Sequence, residues 1–132
     1  MQNAKPVSTP FLVHIKLSSE YSPSIEAEKV AMSRVPYSSA VRSLMFVMVG
    51  TRSDIAQVVG AVSKYMANSG RVHWDAMKWI LRYLKNTSSV SLCYRSIEPD
   101  CVGFVDVDFA GDKDKRRSTS GNVFIMAGGA VS

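Results

Sequence analysis

An α+β fold is predicted, in three consecutive segments: a polar arm over residues 1–34, a helical region over 35–89 and a partial antiparallel sheet over 90–132. Three observations predict it. Pro6, Pro10 and Pro23 stand among Ser8, Thr9, Ser18, Ser19, Ser22 and Ser24, a composition that punctuates the backbone and offers little apolar periodicity. Apolar residues then recur at steps of three and four as far as Leu84. After Asn86 to Ser89 the period falls to two.

The arm is read as extended, with a short turn of helix at Ile25 to Val30. Pro36 suits the start of a helix, where its missing N–H has no intrahelical partner to lose. Tyr37, Val41, Leu44, Met45 and Met48 then mark a first helix that is nearly apolar enough to be buried all round. Ser53 is a good N-cap, Asp54 favours the positive helix end, and Ile55, Val58, Val59, Val62 and Met66 follow one stripe of a second helix ending near Asn68-Ser69-Gly70. The third helix runs from about His73 to Lys85. It turns Trp74, Met77, Ile80, Leu81 and Leu84 one way and Lys78, Arg82 and Lys85 another.

Three strands follow. Val90, Leu92 and Tyr94 alternate with Ser91, Cys93 and Arg95, and a Glu98-Pro99-Asp100 turn leads to a second strand, Val102 to Phe109. A charged loop, Gly111 to Arg117, leads to a third, Asn122 to Met126, after which Gly128-Gly129 turns the chain. Such a hairpin is only marginally stable without more strands or a covering helix, so the sheet is read as truncated at Ser132.

A length of 132 residues with 46% hydrophobic composition fits one domain or the join between two. The net charge of +5 and the pI near 9.4 favour polyanionic partners, nucleic acid or an anionic surface. Cys93 and Cys101 match no zinc spacing, and His14 and His73 lie far from them in sequence, the usage of a reduced intracellular protein. The apolar run Phe11-Leu12-Val13 is broken by His14 and Lys16. It is too short for a secretion signal, and no run is long enough to span a bilayer. No cofactor and no membrane partner are expected.

Asp106 and Asp108, two apart in a strand, share a face at about 7 Å, within reach of one hard cation. Two aspartates alone do not complete a two-metal nuclease site, and the plain alternative is an exposed acidic pair. Arg71, Lys78, Arg82 and Lys85 span about four helical turns and suit a nucleic-acid backbone, against the alternative of a solvated face. Lys113, Lys115, Arg116 and Arg117 form a second basic group whose field Asp112 and Asp114 offset. Trp74 is assigned to the core and Trp79 to a partly exposed or sheet-capping position. His73 is a packing or capping residue, with no second imidazole at metal-ligand spacing.

Several blocks carry a family resemblance. They are Lys5-Pro6-Val7-Ser8-Thr9-Pro10, Val35-Pro36-Tyr37 to Ser43-Leu44-Met45, Thr51-Arg52-Ser53-Asp54-Ile55, His73-Trp74 and Leu81-Arg82-Tyr83-Leu84-Lys85. In this order they resemble Copia-type retrotransposon Pol polyproteins. Phe104-Val105-Asp106-Val107-Asp108-Phe109-Ala110-Gly111-Asp112, with Arg116-Arg117-Ser118-Thr119-Ser120-Gly121, resembles the same family's entry into ribonuclease H. The resemblance implies a connection region downstream of the polymerase palm, with the polymerase aspartates upstream of Met1. It makes Asp106 the first metal-binding carboxylate of a ribonuclease H whose remaining ligands follow beyond Ser132, and Asp108 only a neighbour. Magnesium would belong to that complete ancestral enzyme. The expectation is a degenerate, non-catalytic Pol fragment that is intracellular and ancestrally bound DNA/RNA hybrids. Where the family has Gly, Pro, Pro, Gly and Tyr, this chain has Arg42, Ser53, Ser69, Asn86 and Asn122. In so apolar a first helix, Arg42 would have to snorkel to solvent.

The chain also resembles secreted RxLR effector proteins of oomycete plant pathogens. The nearest match to their motif is Arg42-Ser43-Leu44-Met45, which lacks the final Arg and is followed by no Glu-Glu-Arg segment. That resemblance implies secretion, then action in the cytoplasm or nucleus of the plant cell on host proteins, to suppress defence or cell death. The helical surface rather than Asp106 would then carry the function.

Overall fold

The computed structural model describes residues 4–11, 17–91, 100–112 and 114–130. The chain divides into two compact units, Met1–Ser88 and Ser89–Ser132. Helices make up the first and strands the second, an α+β composition.

The first unit holds α1 (Glu26–Ser33), α2 (Tyr37–Gly50), α3 (Ala56–Ser63) and α4 (Arg71–Asn86), with 3-10 turns at Ser19–Tyr21 and Ser53–Ile55. Its core is the meeting of three stripes: Tyr37, Val41 and Leu44 from α2, Val58, Val59 and Val62 from α3 with Ile55 just before it, and Ala76, Met77 and Ile80 from α4. Each large side chain so buried contributes about 1.5–3 kcal/mol. The Tyr37 hydroxyl is satisfied inside this core by donating to the Val62 carbonyl at 2.7 Å. Burial, and secondarily Tyr65, push its ionisation well above the ordinary tyrosine range. Trp74 meets the Tyr37 ring edge-on at 6.4 Å between centroids.

Four sequence expectations are corrected here. The helical turn expected at 25–30 is a two-turn helix, Glu26–Ser33, none of whose side chains is buried. The first long helix is not buried all round: Phe46 and Val49 are 81% and 82% exposed, on the side away from the stripe of Tyr37, Val41 and Leu44 and the partly buried Ala40, Met45, Val47 and Met48 that pack on the core. Arg42 lies on the exposed side, so its charge reaches water without snorkelling. Ser53 does not cap a continuous helix. It opens a 3-10 turn with no side-chain cap, and the α-helix after it ends at Ser63.

In the second unit the strands β1 (Cys101–Val107), β2 (Ser120–Met126) and β3 (Gly129–Ala130) form an antiparallel sheet in the order β1-β2-β3. Cys101 pairs with Met126 and Val107 with Ser120; Met126 then pairs with Gly129. Ala127 and Gly128 join β2 to β3 with φ of 52° and 77°, the two positive values of a type I′ hairpin turn. The turn thus falls one residue before the expected Gly128-Gly129. Gly103 lies opposite Phe124, whose ring covers the place a Cβ would occupy. Val102, Phe104, Val105, Val107, Val123, Phe124 and Met126 are all exposed, on both faces of the hairpin. Of the strand expected at Val90 to Tyr94, Val90 and Ser91 carry no pairing, and the rest lies outside the described residues.

Candidate nucleic-acid interface

The longest helix, α4, has no Gly or Pro within it and is anchored at both ends. At its start the Gly70 N–H donates to His73 Nδ1 at 2.9 Å, satisfying a backbone donor at the helix N-terminus. Because Nδ1 accepts, the ring proton sits on Nε2, which lies 3.1 Å from the Ser18 carbonyl and donates to it. The imidazole is wholly buried and stacks on Tyr65 at 4.1 Å. His73 is therefore a capping and packing residue that ties the arm to the helix. Gly70 allows this closeness, since a Cβ there would collide with the Tyr21 carbonyl.

Further along α4 the arm continues as a strap. Trp79 Nε1 donates to the Thr9 carbonyl at 2.9 Å, Arg82 Nε to the Lys5 carbonyl at 2.7 Å, and Asn86 Nδ2 to the Val7 carbonyl at 3.2 Å. The Val7 side chain is buried beneath. The Arg82 guanidinium lies 5.0 Å from the Trp79 ring centroid, within cation–π range. Sequence reasoning missed this docking, because the acceptors are backbone carbonyls that any residue carries.

The four basic residues singled out on α4 share one face at steps of seven, four and three, but in different states. Arg71 is exposed in the first turn, and Lys85 is exposed in the last, where it complements the negative helix end. Lys78 is paired with Asp75, an exposed bridge of small energetic value. Arg82 is held by the arm. The first unit carries eleven Lys and Arg against five Asp and Glu, and the second five against six. The positive excess of the chain thus lies wholly in the helical unit.

Beside the C-terminal end of α4 stands a second cluster. Arg52 grips Asp54 through two 2.8 Å hydrogen bonds and also donates to Thr87 Oγ1 at 2.8 Å. The Tyr83 hydroxyl donates to the same carboxylate, and the guanidinium lies 5.4 Å from the Tyr83 ring. The Arg52 hydrogen bond holds Asp54 below the ordinary carboxylate range, while the bond to Asp54 raises Tyr83. Asp54 therefore clasps the α2–α3 connection to α4, where the sequence had suggested a helix-end role. The available signal was the Arg-x-Asp spacing followed by a distant tyrosine.

In the second unit Asp106 pairs opposite Gly121, and its carboxylate accepts from the Val107 N–H at 2.9 Å. Asp108 lies one residue beyond the end of β1, so the strand is shorter than the Val102 to Phe109 expected. Its carboxylate accepts from the Thr119 N–H, its own N–H donates to the Thr119 carbonyl at 3.0 Å, and a Cβ on Gly111 would strike it. Asp108 thereby brackets the connection from β1 to β2. Ala110, at φ 50°, and its bond to Ser118 Oγ turn the chain away there. Asp112 folds the basic loop by accepting from the Asp114 and Lys115 N–H groups. Lys115, Arg116 and Arg117 are exposed, whereas Lys113 lies outside the described residues. Among the described residues no three His, Cys, Asp or Glu side chains converge as a metal site would require.

The RxLR-like run is helical, within α2. Arg42 is exposed, the Ser43 hydroxyl donates to the Ser39 carbonyl, Leu44 is in the core and Met45 is half-buried against it.

Over all 132 residues the chain is 52% identical to the retrovirus-related Pol polyprotein from transposon TNT 1-94 of Nicotiana tabacum, of which it spans 10%. It is 32% identical over its full length to the Pol polyprotein from transposon RE1 of Arabidopsis thaliana and spans 9% of it. The secreted RxLR effector protein 161 of Plasmopara viticola is 45% identical over 102 residues, which are 76% of this chain and 72% of the effector. No family model matches the chain, and no solved structure matches it.

Proposed function

The chain belongs to the family of Copia-type retrotransposon Pol polyproteins, of which it is a fragment, and on that premise we propose that its helical unit is a non-catalytic module that holds DNA/RNA hybrids by their phosphates. The observation that carries this reading is the basic face of α4, Arg71, Lys78, Arg82 and Lys85, on the unit that holds all of the positive excess. Contacts of this kind are electrostatic, displace counterions and read no sequence. The employment of Asp108 in the β1–β2 connection supports its reading as a structural neighbour of Asp106 rather than a ligand.

The test is fluorescence anisotropy of a labelled hybrid against salt. Four phosphate contacts to a duplex predict a log–log slope of about −3.6. Arg71→Glu with Lys85→Glu, at the two exposed ends of the basic face, should weaken binding at low salt by about tenfold or more. Equal binding by the doubly reversed chain would overturn the reading.

The likeness to the effector, which extends over 72% of that protein, favours a second reading. In it the exposed side of α2, with Arg42, Phe46 and Val49, would bind a host plant protein in the cytoplasm or nucleus after secretion and dampen defence. Expression of the tagged chain in plant cells challenged with a cell-death elicitor decides it. Suppression lost on Phe46→Asp supports this reading, and undiminished cell death removes it.

A further inference from the structure

We infer that the N-terminal arm is a displaceable cover over a stacking platform for single-stranded nucleic acid, formed on α4 by Trp79 and Arg82; this rests on the reading of α4 as a nucleic-acid face. The guanidinium lies 5.0 Å from the indole centroid, and the indole N–H and the Arg82 Nε–H are satisfied by the arm's backbone carbonyls, at Thr9 and Lys5. With the guanidinium over one face of the indole, the opposite ring face is the surface on which an unpaired base stacks while its phosphate meets the cation. Duplex bases, stacked on one another, offer no free face, so a single strand is the ligand class.

The arm is built to be exchanged for such a strand. Pro6 and Pro10 carry no N–H, and the segment meets α4 through the carbonyls of Lys5, Val7 and Thr9, acceptors as the oxygens of a phosphate backbone are. Lys5, Pro6, Ser8 and Thr9 are exposed, leaving Val7 as the side chain buried beneath the strap. Arg71, Lys78 and Lys85 extend the platform along the same helix with positive charge, against which the arm itself sets no carboxylate between Lys5 and Phe11.

The experiment uses the full chain and a fluorescent oligothymidylate. Val7→Asp, which disfavours arm docking and leaves α4 unaltered, should tighten binding by about tenfold, the gain from one newly stacked base. Trp79→Leu added to it should abolish that gain. In the unaltered chain, saturating oligonucleotide should accelerate amide hydrogen exchange between residues 5 and 11. Binding by Val7→Asp no tighter than by the unaltered chain, or a gain that survives Trp79→Leu, overturns the inference. Should Val7→Asp fail to fold by circular dichroism, the exchange measurement decides: unchanged protection of the arm with oligonucleotide bound overturns it. Failure of both chains to bind any nucleic acid overturns the α4 reading itself, whereas binding indifferent to the arm overturns only the cover.

Discussion

The Tyr83 hydroxyl donates to Asp54 Oδ2 at 2.7 Å across 29 residues of sequence, on the carboxylate that Arg52 grips from its own loop. Through this contact the turn between α2 and α3 is fixed to the last turns of α4. Its electrostatics have a definite sign. A carboxylate held below its ordinary range contributes stability above the unfolded-state value, and that contribution is lost as pH falls through the folded value.

Thermal midpoints should therefore decline as pH drops below about 4, the unfolded carboxylate value, and Asp54→Asn should flatten that acid decline. The cluster is partly exposed, so solvent screening limits the loss at neutral pH to about 1 kcal/mol. Melting curves of both chains across the acid range check this; an unaltered acid limb in Asp54→Asn would remove the clasp from the stability of the fold.

Gly70→Ala should destabilise the helical unit by about 1–3 kcal/mol, because the new methyl meets the Tyr21 carbonyl rather than a yielding side-chain tip. Urea unfolding followed at 222 nm measures it. A neutral result would mean that the approach of the arm to α4 is not retained in solution.

Ala127→Asn should stabilise the hairpin by about 0.5–1 kcal/mol. Ala127 occupies the left-handed region at φ 52°, where Asn is better tolerated, and Asn-Gly is the preferred pair for a type I′ turn. Backbone amide exchange along β2 should slow. Faster exchange would assign the turn to a different type.

No magnesium-dependent cleavage of an RNA–DNA hybrid is expected from the purified chain, and Asp106→Ala should leave its nucleic-acid affinity unchanged within error. Asp108→Ala should instead speed amide exchange at Thr119, since that carboxylate accepts its N–H. Cleavage that disappears in Asp106→Ala would show an active site where none is proposed.

Much of the helical core was legible because burial repeats with the helix. Tyr37, Val41, Leu44, Ile55, Val58, Val59, Val62, Met77 and Ile80 all stood on the predicted stripes and all lie in the core. The same pattern could not tell that the far side of α2 lacks a cover, because Phe46 and Val49 are as apolar as the residues that found one. The Asp106–Asp108 repeat was visible, but the use of Asp108 by Thr119 depends on the turn at Ala110. The strap over α4 was hidden for a different reason: Trp79, Arg82 and Asn86 bond to carbonyl oxygens, which carry no side-chain identity for a sequence pattern to register.

The hairpin with apolar side chains on both faces has a cellular consequence. Exposed valines and phenylalanines of this kind are what chaperones and proteases sample when they triage folding chains, so the lifetime of this protein should follow the supply of whatever shields its strands. A copy whose β1 and β2 stay uncovered should accordingly be cleared faster than one whose strands are shielded.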